Sequence, residues 1–201
     1  DIKNMLDRMH NKKLKKWIEG LLPGIYIVKG KNWLESGMPH THANFMILNQ
    51  SFFASFRNST FIHELTHIHQ RLVYDKYLEL YDKWGFYYYD IKNIKGFGDI
   101  VLHNRSNPDG MDCNWILKNV CNEKDYWIGA VFNSTVPNDI LSVYLEAYPL
   151  INQNGTVIYN GQSPQKIESF NDFKKLFCVS YNHYHPNEIA AQYMEFYYKE
   201  K

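Results

Sequence analysis

An α+β fold is expected for this chain, with a small mixed β-sheet packed on a long central helix and a C-terminal helix beside it. Three stretches predict it. Thr60 to Leu72, T-F-I-H-E-L-T-H-I-H-Q-R-L, spaces its apolar residues as a helix does. Two short β-type runs precede it, Gly24 to Lys29 and Ala43 to Asn49. Pro186, a good first helical residue, opens a further helical pattern through Lys199. With 201 residues, 45% of them hydrophobic, one substantial core can be buried, so a single domain over residues 1–201 is expected.

Taken in order, Asn4 to Glu19 reads as a helix, with Leu6, Met9, Leu14, Trp17 and Ile18 near helical spacing and Gly20 as its stop. Gly24 to Lys29 is bounded by glycines. Lys31 to Thr41 holds Gly37 and Pro39 and reads as a loop, and Ala43 to Asn49 as a strand leading to Phe52, Phe53 and Phe56. Asn58 or Ser59 can cap the central helix. Its apolar pattern continues through Tyr74, Leu78 and Tyr81, so the helix is expected to reach about Trp84, a length of about 38 Å. Beyond Gly85, Gly98 to Leu102 reads as a strand and Asn104 to Asn114 as a turn-rich loop. Tyr126 to Phe132 and Ser142 to Tyr148 are apolar segments that periodicity leaves untyped. Asn152 to Gly155 is a turn signal before a short run at Val157 to Tyr159, and Ser163-Pro164 opens an expected helix through Leu176.

Composition narrows the partners. The formal net charge of +1 gives no argument for nucleic acid or a membrane surface. The one basic cluster, Lys12, Lys13, Lys15 and Lys16, is expected to be the solvated face of the first helix. Cys113, Cys121 and Cys178 are an odd number without close metal spacing, which fits buried thiols in a reducing compartment. No signal peptide and no span of about 20 apolar residues is visible. The expected state is a monomer, intracellular or packaged in a virion.

The chemistry lies in His63-Glu64-Leu65-Thr66-His67. On a helix, residues four apart share a face, so His63 and His67 can reach one zinc ion. Glu64 then stands where a general base on a zinc-activated water is needed. Phe61, Leu65, Ile68 and Leu72 form an apolar arc on the other side, while His69 points about 160° from His67 and reads as a flank residue. A catalytic zinc needs a third protein ligand. Glu188, in the first turn of the last helix, is the first candidate, because the helix dipole favours a carboxylate there and Ala190 and Ala191 permit close helix approach. Glu195 and Glu146 are further candidates.

H-E-L-T-H followed roughly 120 residues later by N-E-x-A-A resembles the gluzincin zinc metallopeptidases. The likeness covers two helices and the strand before the first. It implies zinc ligation by His63, His67 and Glu188, Glu64 as general base, and Asn187 as part of the pattern before the third ligand. Four residues after that ligand the group often has an Asp that holds a zinc-bound histidine. Here the position is Gln192, which accepts a hydrogen bond but brings no charge. The group's oxyanion donor, usually a Tyr or a His, points to Tyr184 or His183, and the strand Ala43 to Asn49 is expected to be the substrate-binding edge. The abundance of Asn, Lys, Ile and Tyr, with H-T-H-A-N-F and H-P-N-E-I-A-A, is similar to a peptidase of large DNA viruses. The expected activity is zinc-dependent hydrolysis of a protein or peptide substrate, by an endopeptidase in preference to an exopeptidase. The alternative is a zinc-stabilised structural or partner-binding domain without activity.

Overall fold

A computed structural model of the chain describes residues 2–107, 109, 114–121, 124–133, 142–180 and 184–199. Two compact units make it up: Asp1–Tyr74, Pro108–Gly110 and Ala190–Lys201 form the first, Asp75–Asn107 and Met111–Ile189 the second. Each mixes helices with strands, and the fold class is α+β as expected.

The first unit begins with α1 (Ile2–Asp7) and α2 (Lys12–Leu21), two helices where one was expected. Asn11 starts the second, its side-chain oxygen accepting from the Leu14 N–H at 3.1 Å. Lys12, Lys13 and Lys16 stand in solvent while Leu14 and Ile18 are buried, so the basic run is the outer face of α2. Strands β1 (Tyr26–Lys29), β2 (His40–His42) and β3 (Phe45–Leu48) form a small mixed sheet in the order β1-β3-β2. β1 runs parallel to β3 and β2 antiparallel to it. The expected substrate edge is thereby corrected. β3 has a strand on each side, so the Ala43 to Asn49 run is the middle of the sheet, and the outer strands are β1 and β2.

After the short α3 (Gln50–Ala54) comes α4 (Asn58–Leu72), the motif helix. It is 15 residues long, about 23 Å, and stops well short of Trp84. Val73 leaves the helical region at φ −129° and ψ 47°, and α5 (Tyr74–Lys83) is a separate helix. The apolar arc accordingly ends early: Phe61, Leu65 and Ile68 are at most 1% exposed, but Leu72 is 62% exposed. These three residues share one core with Met46 and Leu48 of β3 and with Leu14 and Ile18 of α2.

The second unit holds β4 (Phe86–Tyr88), α6 (Gly98–His103), β5 (Trp115–Cys121), β6 (Lys124–Phe132), β7 (Val143–Gln153), β8 (Thr156–Ile158), β9 (Gln165–Lys166) and α7 (Asn171–Leu176). The strands make an antiparallel sheet in the order β4-β5-β6-β7-β8, with β9 also on β7. Both untyped apolar segments are strands of it. β6 is buried at every residue from Asp125 to Val131, because Trp127 and Ile128 pack on opposite faces. Gly129 is required there: a Cβ would sit 2.1 Å from the Trp127 ring. The Asn154-Gly155 turn joins β7 to β8 with both residues at positive φ, 51° and 82°, as a two-residue hairpin demands.

Two expectations fail in this unit. Gly98 to Leu102 is helix α6, not a strand; Asp99 lies in its first turn, where the helix dipole favours an acid. The helix expected from Ser163 begins only at Asn171, since Gln165–Lys166 pairs with β7. Cys178 is exposed and free because Phe177, 3% exposed, takes the inward place beside it. The last helix, α8 (Pro186–Lys199), crosses from the second unit into the first, where Met194 and Tyr197 pack on the α4 core and the Tyr198 hydroxyl meets the Asn58 amide. Among the described residues no helix is long and apolar enough to cross a membrane.

Candidate metal centre

On α4, burial of Phe61, Leu65 and Ile68 turns His63 and His67 to the opposite side. Their Nε2 atoms stand 3.0 Å apart. Each ring is held from behind. His63 Nδ1 donates to the Glu195 carboxylate at 2.8 Å, and His67 Nδ1 to the Gln70 side-chain oxygen at 2.9 Å. A carboxylate only accepts, so Nδ1 of His63 carries a proton, and in the neutral ring Nε2 is the nitrogen left to bind a metal. The same holds at His67 with the amide oxygen of Gln70. At this distance one Nε2 can donate to the other if it carries a proton, and with both unprotonated a cation between them is what balances the two lone pairs. With zinc–nitrogen bonds of about 2.0–2.1 Å the separation corresponds to an angle of about 94° at the metal, within reach of a distorted tetrahedron.

Glu188 is the third member. His185 prepares its helix: the His185 carbonyl accepts from the Ile189 N–H at 2.9 Å, and its Nδ1 accepts from the Asn187 N–H at 3.3 Å. The Asn107 amide donates to Glu188 Oε1 at 2.9 Å and fixes the carboxylate. One ligand atom from each of His63, His67 and Glu188 lies within 4.8 Å of the others, a group able to hold a metal ion. The donor set fits zinc: two imidazole nitrogens and one carboxylate oxygen, with the outer nitrogens hydrogen-bonded as metal-ligating histidines require.

Around this group the charge is unusual for an interior. Glu64 and Asp109 are 4% and 8% exposed. Arg71 is near enough to feel the charge of both. Burial lowers its pKa, while the negative charges of Asp109 and then Glu64 act to raise it. Buried carboxylates are retained where a cation balances them. Arg71 acts on both Glu64 and Asp109, and Lys199 stands 3.7 Å from Glu195.

Glu195, a candidate ligand from the sequence, instead holds His63 from behind, seven residues past Glu188. The resemblance gave that task to Gln192, which is buried at 8% exposure. Asn187 is also buried, its backbone engaged with His185. Glu146 sits on β7 and accepts from the Tyr148 hydroxyl at 2.5 Å. His69 meets the Trp17 ring edge-on at 5.3 Å, as a flank residue should. Tyr184 is half-buried just ahead of α8, and His183 lies outside the described residues. Gln70, Asn107, Asp109 and Arg71 were missed. Gln70 follows a zinc-type histidine by three residues, a helical spacing that was open to notice; the others come from the far side of a turn-rich loop or from the helix end, and no spacing rule points to them.

Comparison of the chain with models of known protein families, with curated proteins and with solved structures finds no match.

Proposed function

We propose that the chain is a zinc-dependent peptide hydrolase of gluzincin type, with the metal held by His63, His67 and Glu188. The observation that supports it is the pair of Nε2 atoms at 3.0 Å, each ring fixed by a hydrogen bond at Nδ1. A zinc ion bound there would supply a Lewis acid that polarises the scissile carbonyl and acidifies water. The chain does the rest. Glu195 and Gln70 hold the two imidazoles by Nδ1, which leaves each Nε2 facing the metal position. Asn107 aims the Glu188 carboxylate. Glu64, next to the first ligand and shielded from solvent, takes the proton of the attacking water on its carboxylate and passes it to the leaving amine. A protein or peptide is the proposed substrate, and large DNA viruses remain the proposed source.

Glu64→Gln tests the reading. Zinc content measured by atomic emission should be unchanged, while chelator-sensitive cleavage of a mixed peptide library should fall by about 100-fold or more. Cleavage that survives in the variant removes Glu64 as the base. Bound zinc without any cleavage by the wild type favours a non-catalytic zinc domain.

A further inference from the structure

We propose that Asp109 supplies a fourth protein oxygen to the metal position of His63, His67 and Glu188, so that the site is closed in the resting chain. The inference rests on the metal-site reading above and adds a residue that no motif assigns. Asp109 falls in the Asn104 to Asn114 stretch, which by sequence is only a turn. In the structure its carboxylate is held firmly. Oδ1 accepts from the Thr41 N–H at 2.7 Å and from the Thr41 hydroxyl at 2.8 Å. Arg71 grips the same place from α4, donating to the Asp109 carbonyl at 3.2 Å, to Thr41 Oγ1 at 2.7 Å and to the Ala43 carbonyl at 3.0 Å. With one oxygen fixed in this way, Oδ2 is turned to the metal face and lies 3.8 Å from His67 Nε2.

That distance carries the argument. Ligand atoms at about 2.0–2.1 Å from a tetrahedral ion stand roughly 3.3–3.4 Å apart. Oδ2 is therefore within about half an ångström of the ligand spacing from His67 Nε2, and the carboxylate has to turn about the Thr41 hold to come within reach of the other two ligands. A surface acid paired with a histidine would not need a double hydrogen bond and a three-pronged arginine to keep it in place. Four protein ligands characterise closed zinc sites, and three with one open position characterise catalytic ones.

Asp109 also occupies a second place that a substrate needs. The Thr41 N–H points away from β3, on the outer edge of β2, and a peptide adding to that edge would bond to it. One carboxylate thus covers both the edge-strand donor and the fourth metal position. Its displacement releases both together, with no bond broken other than hydrogen bonds and a metal–oxygen contact.

Two measurements on the full chain test this. In a crystal loaded with zinc, Asp109 Oδ2 should lie about 2.0–2.2 Å from the ion; a distance beyond about 3 Å overturns the inference. In solution, cobalt(II) replaces zinc and is read by its visible absorption in wild type and Asp109→Asn, a variant that keeps an oxygen for Thr41. Asp109→Asn should bind cobalt about tenfold or more weakly, and thiocyanate should change its spectrum at concentrations at least about tenfold lower than in wild type. Equal cobalt affinity and equal thiocyanate response overturn it. A wild-type chain that takes up neither zinc nor cobalt overturns the metal-site reading itself, a different failure from that of Asp109 alone.

Discussion

Helix α4 is buried nearly all round but carries apolar residues on one side and polar ones on the other, whereas strand β6 is buried on both faces around an apolar middle. On α4, Phe61, Leu65 and Ile68 go into the apolar core, while Glu64, His67 and Gln70 are buried polar groups and His63 is part-buried. On β6, nothing from Asp125 to Val131 is left for solvent or ligand. Division of labour follows from this. An element with a polar side can use it for chemistry, whereas one that is apolar on both faces is committed to packing, with Trp127 against Phe97 and Tyr148 at ring distances of 5.2 and 5.6 Å.

The contrast can be broken by substitution. Trp127→Ala should have the largest effect, a loss of about 3–5 kcal/mol in urea denaturation, because a ring with 0% exposure leaves a cavity against Phe97 and Tyr148. A loss under about 1 kcal/mol would mean that β6 is not a packing strand. Glu195→Gln sharpens the other side. It removes charge from the group holding His63 but leaves an acceptor, so zinc affinity by chelator competition should fall about 10–100-fold with the fold intact. An unchanged affinity would make the contact a bystander. Leu72→Ala should be smallest, within about 0.5 kcal/mol, since this last member of the apolar arc is 62% exposed. A larger cost would place the end of α4 in the core.

How far the molecule could be read from its residues follows the same contrast. The motif helix was legible because an apolar side opposite a polar one writes a period of 3.6 into the sequence. The hairpin at Asn154-Gly155 was legible because two adjacent positive-φ residues demand that dipeptide. Trp127-Ile128-Gly129-Ala130-Val131 could not be typed: burial on both faces erases the alternation that marks a strand. The helix end at Leu72 was also hidden, as α5 resumes with Tyr74, Leu78 and Tyr81 in nearly the same phase. At the site, His63, Glu64, His67 and Glu188 were legible by spacing and helix position. The contacts of Asn107 with Glu188 and of Asp109 with Thr41 were not, because they join residues 81 and 68 positions apart, beyond the reach of any local pattern.

The central claim is that two imidazoles of α4 and a carboxylate of α8 meet at one metal ion. Anomalous scattering from a zinc-soaked crystal, recorded on both sides of the zinc edge, tests it most directly. The account predicts a single strong peak about 2.0–2.2 Å from His63 Nε2, His67 Nε2 and a Glu188 carboxylate oxygen. A zinc peak elsewhere, or a peak at the histidines with Glu188 turned away and Glu195 in its place, would contradict it.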